Sequence, residues 1–394
     1  MKKFSNGVNP IEDILTRGVE EVIDRQDLEA KLKSKKQLRI KLGIDPTSPN
    51  IHIGRAVVLW KLRAFQELGH KVVLIVGDFT GLVGDTSDKD AERPMLSEAV
   101  IKQNQKSYFE QTFKILDRTK TETHYNSKWL KKLGFKDIAQ MADLFGLHEM
   151  CARENIAKRL DAGKRVSLRE LLYPLMQGYD SVAIKADVEL GGTDQRFNLL
   201  AGRTIQPFYK QQAQNILMTT LMEGTDGRKM SSSWGNVINI TDTPDEMFGK
   251  VMSIKDELIK KYFVLATRVN LAEVDEVMKL ENPKDQKIVL AEKITTLYHG
   301  VKKAEQAKLN FVNHFAKGVL PEKIETKNIK SGEYQLAELL VVSGLTSSKS
   351  ESRRLIAQKG VSVNGQVSAD VSIALNGKTE VLLQVGKRKF LKVK

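Results

Sequence analysis

The stretch Arg39-Ile40-Lys41-Leu42-Gly43-Ile44-Asp45-Pro46-Thr47-Ser48-Pro49-Asn50, carried on through His52 to Leu68 and closed by Lys71-Val72-Val73-Leu74-Ile75-Val76, decides the fold. Residues 39–44 read as a short strand and 71–76 as a second, because compact apolar runs of this length suit strands buried on both faces. The segment 45–50 is dense in breakers, and a helical period then returns through Val57, Leu59, Trp60, Leu62 and Phe65. Strand, loop, helix, strand is the crossover unit of a parallel sheet, and ligands in such folds gather at the carboxyl ends of the strands.

Outward from this unit, Ile11, Ile14, Leu15, Val22, Ile23, Leu28 and Leu32 predict one amphipathic helix over residues 11–32. Residues 96–170 read mainly as charged helices, and a further strand, over 181–184 or 188–190, precedes Gly191-Gly192. From Thr243-Pro244 to about residue 318 the periodicity is helical. The tail opens with two helices, over 336–342 and 349–358, and then shows Asn364-Gly365 between β-branched residues, a hairpin signal. The expected fold class is α/β: a Rossmann-like parallel-sheet domain over 1–240, an α-helical domain over 241–330 and a small basic α+β domain over 331–394.

Apolar residues make up 41% of the 394 and charged residues 28%, enough core for several folded domains and too much for long disorder. The net charge of +14 points to a polyanionic partner. Residues 336–394 carry ten Lys or Arg against four Asp or Glu, so nearly half of that excess sits in the tail. The single Cys151 permits no internal disulfide, and no stretch approaches the roughly 18 apolar residues needed to span a bilayer, so the expected location is the cytoplasm, away from membranes. The six histidines are scattered without zinc-ligand spacing, so no metal site is expected. Asn376-Gly377-Lys378-Thr379 is set aside as a phosphate loop because Ser372 stands where its first glycine belongs.

Two loops carry phosphate chemistry. His52-Ile53-Gly54-Arg55 opens the helix after the first strand, where backbone N–H groups and the helix dipole favour anions and Gly54 permits close approach; Thr47, His52 and Arg55 add side-chain donors. Asp226-Gly227-Arg228-Lys229-Met230-Ser231-Ser232-Ser233 is a glycine-led, hydroxyl-rich loop with a cation, able to close over a triphosphate. Either loop alone also suits a solvated turn. In this order, separated by most of an α/β domain, they resemble the paired HIGH and KMSKS signatures of class I aminoacyl-tRNA synthetases.

Between them, Tyr173, Gln177 and Asp180 fall at i, i+4 and i+7 on one helix face flanked by Leu172, Leu175 and Met176, an unusual set of polar groups for a core helix. With Gly43-Ile44-Asp45-Pro46-Thr47 and Val188-Glu189-Leu190-Gly191-Gly192-Thr193-Asp194-Gln195, this segment resembles the bacterial tyrosyl-tRNA synthetases, and the resemblance runs from about residue 10 to the C-terminus. It implies an ATP-dependent ligase that forms tyrosyl-adenylate and transfers tyrosine to tRNA(Tyr). The enzyme would act as a homodimer, with an anticodon-side helical domain and a C-terminal RNA-binding domain similar to a ribosomal small-subunit protein.

Carried over by position, the resemblance gives Asp180 the substrate phenol, Tyr173, Gln177 and Asp85 its ammonium, Gln195 its carboxylate, and Asp194 with Gly192 the ATP ribose; Lys41 completes the tyrosine set. Gly54, Lys229, Met230, Ser231, Ser232 and Ser233 would bind ATP, with Mg²⁺ arriving on the nucleotide and Thr47, His52, Arg55, Lys229 and Ser232 serving catalysis. Lys349, Arg353, Arg354, Lys359, Lys387, Arg388 and Lys389 are the RNA-binding candidates.

The sequence departs from the family pattern at four places: Arg55 where histidine is usual, Ser232 where a second lysine is usual, Gly84-Asp85-Thr86-Ser87-Asp88 where Gly-Asp-Pro-Ser-Gly is common, and Lys41 where one branch has tyrosine. Lys229, Arg228 or a bound monovalent cation near residues 229–233 would replace the charge missing at Ser232. These departures also suit a non-catalytic RNA-binding paralogue. A nucleotidyltransferase without an RNA substrate fits less well, given the basic tail.

Overall fold

The computed structural model describes residues 9–46, 49–84, 98–317, 324–369, 371–386 and 389–394. The opening crossover unit forms as its apolar pattern dictates: β2 is Arg39–Ile44, β3 is Lys71–Val76, and the helix Ile53–Glu67 connects them. The two strands pair in parallel, with Ile40 beside Val72 and Ile44 beside Val76. Ile40, Val72, Val73 and Ile75 are fully buried.

The first helix predicted over 11–32 is instead two helices, Pro10–Thr16 and Arg25–Lys33, with a strand between them, β1 (Val19–Ile23). Gly18 sits at φ +62°, where a Cβ would lie 2.7 Å from Leu265, and this left-handed residue ends the helical path. The β-branched Val19, Val22 and Ile23 then favour a strand over another helical turn.

Two more strands escaped the periodicity: β4 (Thr121–Tyr125), inside the stretch read as helical, and β6 (Asn215–Thr219). The remaining strand, β5, is Val188–Gly192. The alternative over 181–184 is wrong, because those residues end the long helix Leu168–Ile184, which a reciprocal Ser167/Glu170 cap starts.

The sheet order is β1-β6-β5-β2-β3-β4, parallel throughout except that β1 runs antiparallel to β6. Chain order reverses direction between β2 and β5, which makes the crevice beyond their carboxyl ends the topological switch point.

Helices Pro244–Met252, Ile259–Ala266, Leu271–Val277, Pro283–His299 and Val301–Lys317 fill residues 244–317 as the periodicity predicts. Their buried Phe248, Tyr262, Phe263, Leu290 and Ile294 belong to the same apolar cluster as Ile14, Leu59 and Phe65 of the sheet region. Compact packing accordingly divides the chain into residues 1–311 and 312–394, with no break near 240. No helix among the described residues is long and apolar enough to cross a membrane.

In the second unit, helices Leu336–Ser343 and Lys349–Ala357 pack against each other and bury Leu336, Leu339, Leu340 and Ile356. The hairpin signal is realised between β9 (Val361–Val363) and β10 (Gln366–Val367), with Asn364 at φ 49° and Gly365 at φ 83° as a type I′ turn requires. Short strands β7 (Thr326–Lys327), β8 (Gly332–Gln335) and β11 (Ser372–Leu375) join β12 (Val381–Val385) and β13 (Lys389–Val393) to complete an α+β unit.

Candidate active site

A cavity of about 850 Å³ opens at the predicted switch point, lined by Gly43 to Asp45 at the end of β2, Gly77 just after β3, Gly191, Gly192, Asp194 and Gln195 at and beyond the end of β5, and Thr219 to Met222 at and beyond the end of β6. His52, Gly54 and Arg55 line it from the helix N-terminus, Tyr173, Gln177 and Asp180 from the long helix, and Lys229 to Trp234 from the second loop. Of the predicted catalytic and substrate residues, Thr47 and Asp85 lie outside the described residues, and Lys41 alone among the others is absent from the cavity wall.

The two loops meet in space. Gly54 has its ideal Cβ position 3.1 Å from His52 Nδ1 and 3.3 Å from Met230 Sδ, so a side chain there would crowd both. Backbone bonds brace the same region: Ile53 N–H donates to the Ile238 carbonyl (2.8 Å) and Ile240 N–H to that of Ile51 (2.9 Å). His52 caps its helix by accepting the Arg55 N–H at Nδ1, at 3.2 Å. Burial, reinforced by the charges of Arg55 and Lys229, pushes the imidazole down to about 3. The ring is therefore neutral near pH 7, and with Nδ1 accepting, its proton sits on Nε2 as a donor.

Asp180 is 3% exposed, and it accepts from Trp129 Nε1 at 2.7 Å and Asn126 Nδ2 at 3.2 Å. Burial raises its carboxyl to about 7 against the opposing pull of Lys41, Trp129 and Asn126. Asn126 is itself fixed, donating to Thr80 Oγ1 (2.9 Å) and accepting the Phe79 N–H (3.0 Å). Asp45 accepts from Tyr173 (2.8 Å) and Thr80 (2.7 Å), and a Cβ on Gly77 would fall 1.9 Å from its Oδ1. Sequence reasoning missed Asp45, Thr80, Asn126, Trp129 and Tyr108 as members of the site. Asp45 alone carried a signal, since it directly follows a strand at its ligand-binding end.

Lys41 belongs to a polar network behind the wall. Its ammonium is completely buried, pairs with the equally buried Glu189 at 2.8 Å, and donates to the Gln177 carbonyl (2.8 Å) and Ser181 Oγ (2.7 Å). Gln177, Ser181 and Gln214 supply further donors to Glu189. Lys41 therefore acts on the cavity through its field at Asp180, without facing it. Glu189 was legible only as part of a quoted motif.

Also in the cavity wall, Lys229 pairs with Asp194 at 2.8 Å. Arg228 instead pairs with Asp226 at 2.6 Å, lies 4.8 Å over the Trp234 ring and does not line the cavity. Ser231 and Ser233 share a 2.9 Å hydroxyl contact, and Ser231 N–H donates to Asn236 Oδ1 at 2.9 Å. Gln195 accepts from Asn198 at 3.1 Å.

In the C-terminal unit Lys349, Arg353 and Arg354 stand exposed on one helix whose other face buries Ser352 and Ile356, and Lys359 and Lys389 are exposed too. Lys387 and Arg388 lie outside the described residues.

A parallel sheet with both loops and a switch-point cavity is the architecture of a class I synthetase. Residues 33–316 match the family described as tRNA synthetases class I (W and Y), and residues 315–393 match the tyrosine–tRNA ligase SYY-like C-terminal domain. A tyrosine–tRNA ligase of Thermotoga maritima is 46% identical over 386 residues, 96% of each chain, and one of Aromatoleum aromaticum is 46% identical over 388 residues, 97% of each. Among solved structures, the C-terminally truncated Aspergillus nidulans mitochondrial tyrosyl-tRNA synthetase is similar in fold, with a TM-score of 0.63 at 20% identity, covering 77% of this chain and 93% of that one. The Archaeoglobus fulgidus tyrosyl-tRNA synthetase complexed with L-tyrosine has a TM-score of 0.61 at 22% identity, covering 76% and 100%. The chain belongs to the tyrosine–tRNA ligase family.

Proposed function

We propose that the chain activates L-tyrosine with ATP, releasing pyrophosphate, and passes tyrosine from the adenylate to the terminal adenosine of tRNA(Tyr). The observation that carries this reading is that one cavity is lined by a deeply buried carboxylate, a helix N-terminus and a cationic loop. Asp180 would accept the substrate phenol, and an acceptor buried there disfavours a ring without a hydroxyl, because the carboxylate then loses the donor that would add to Trp129 and Asn126. Tyr173 and Gln177, with Asp85, would hold the ammonium, and Gln195 the carboxylate that attacks the α-phosphate.

His52 Nε2–H, Arg55, Thr47 and the loop 229–233 would stabilise the charge that builds on the α-phosphate and departing pyrophosphate. Met230, buried against Gly54, would fix the loop beside the nucleotide. Arg55 and Lys229 both face the cavity and supply the charge that Ser232 lacks; Arg228 does not. Mg²⁺ would arrive on ATP, and a monovalent cation beside the loop would add to that charge. No protein nucleophile is needed, since positioning and charge do the work.

The helical region after residue 240 would lie on the anticodon side, and the exposed Lys349, Arg353, Arg354, Lys359 and Lys389, together with Lys387 and Arg388, would contact tRNA phosphates. Phe135 (87% exposed), Leu168 (77%) and Leu147 (69%) are large apolar side chains of the kind a homodimer contact would cover. A cytoplasmic location fits these substrates. The test is tyrosine-dependent ATP–pyrophosphate exchange across the twenty amino acids, followed by charging of tRNA(Tyr). Exchange with tyrosine alone and stable charging are expected; absence of both in the folded protein would reject the reading in favour of a non-catalytic RNA-binding protein.

A further inference from the structure

Lys229 and Asp194 are partners in the wall of the cavity that Asp180 also lines. Their 2.8 Å pair is partly open to solvent, the lysine side chain being 34% and the aspartate 22% exposed, and both residues line the cavity. A carboxylate repels phosphate and accepts from hydroxyls, whereas an ammonium attracts phosphate. On the proposed reading a bound nucleotide would use Asp194 for its ribose and Lys229 for its phosphates, and in this structure the two pair with each other.

The backbone of the loop is anchored independently of that pair. Met230 is buried and its N–H donates to the Met222 carbonyl (2.9 Å), the Lys229 carbonyl accepts from Asn236 Nδ2 (3.1 Å), and Ser231 N–H donates to Asn236 Oδ1 (2.9 Å). The Lys229 side chain can leave Asp194 while the loop stays in place. Arg228 offers no substitute, because Asp226 and Trp234 hold it outside the cavity.

We propose that Lys229 and Asp194 form an exchange pair: ribose hydroxyls displace the Lys229 ammonium from Asp194, and the displaced ammonium is the charge that moves to the phosphates. This rests on the reading of the cavity as an ATP site. Lys229 thereby becomes a determinant of sugar specificity as well as a phosphate contact. A nucleotide without the hydroxyl that Asp194 accepts leaves the lysine held back, and loses catalytic rate in addition to affinity.

Adenosine, which has the ribose and no phosphate, separates this role from simple phosphate binding. With the full-length chain, equilibrium dialysis of adenosine should show binding about two- to five-fold tighter to Lys229→Ala than to wild type, the range expected for releasing a partly exposed ion pair. Lys229→Arg, which keeps the pair, should bind adenosine like wild type. In pyrophosphate exchange, whichever of 2′-deoxyATP and 3′-deoxyATP is the poorer substrate should lower kcat in wild type, and that kcat ratio to ATP should move toward one in Lys229→Ala. Unchanged or weaker adenosine binding in Lys229→Ala, in an enzyme that exchanges pyrophosphate with tyrosine, would overturn the exchange pair and leave the proposed activity standing. Loss of exchange in wild type would reject the activity instead.

Discussion

With Asp180 as the proposed acceptor of the substrate phenol, discrimination between tyrosine and phenylalanine should depend on pH, and the size of the effect follows from its surroundings. Burial holds the carboxyl at about 7, so near neutrality the ligand-free site is divided between ionised and protonated forms. A phenol hydroxyl donates best to the ionised form, a charge-assisted bond worth about 1.5–3 kcal/mol. If tyrosine binds that form alone, its affinity scales with the ionised fraction, which is about one eleventh at one unit below the midpoint and about ten elevenths at one unit above. Affinity should therefore rise about ten-fold between about pH 6 and about pH 8 and then level off, whereas phenylalanine should bind no better or worse as pH rises. His52, held at about 3, does not titrate in this window. The measurement is equilibrium binding of both amino acids across that range, with Asp180→Asn as the control that should flatten the tyrosine curve. A flat or falling curve for wild type would show that the phenol does not bond to ionised Asp180. The same shift has a stability sign: the folded chain keeps this proton where the unfolded chain has lost it, so Asp180's contribution falls as pH rises from the ordinary carboxylate range to about 7.

Lys41→Met should destabilise the chain by about 3–5 kcal/mol in urea unfolding, since it strands the buried Glu189, and Glu189→Gln added to it should recover most of the loss. Lys229→Ala should slow adenylate formation by about 10² with little change in tyrosine affinity, the pattern of a contact made chiefly in the transition state. Ser232→Lys should match or exceed wild type in rapid-quench measurements, with any potassium dependence reduced. Deleting the residues after 317 should weaken tRNA binding and flatten its salt dependence while sparing adenylate formation, and an unchanged slope would reduce the basic tail to surface charge.

The site was legible where the chain must be locally special. Gly54 and the capping His52 mark a helix start built for close approach, and Tyr173, Gln177 and Asp180 share a face that apolar packing alone does not explain. The fold was legible where β-branched apolar runs lie between breakers, as at β2 and β3. It was obscured where strands carry polar or mixed residues: β4 reads Thr-Glu-Thr-His-Tyr, and β1 hides inside an apparent helical period that only Gly18 interrupts. Asn126 and Trp129 could not have been placed, because their role depends on a crossing with a helix some fifty residues later. Lys41 entered the tyrosine set through the resemblance alone, and nothing in its own strand signalled the buried partner Glu189 on the neighbouring strand that holds it behind the cavity wall.

The arrangement of charge explains why the two departures nearest the phosphates, Arg55 and Ser232, need not impair the site. An uncharged serine replaces a lysine in the second loop, while an arginine stands in the first at a position where histidine is usual. His52 registers both remaining cations, since Arg55 and Lys229 each oppose its protonation. Arg55 lines the cavity, and its Nη1 is buried with no hydrogen-bond partner among the described residues. A guanidinium keeps its charge at every working pH, which an imidazole beside two cations does not. On the proposed reading, part of the positive charge that would face the phosphates sits at the helix N-terminus on Arg55, and the part that would depend on ligand binding rests on Lys229.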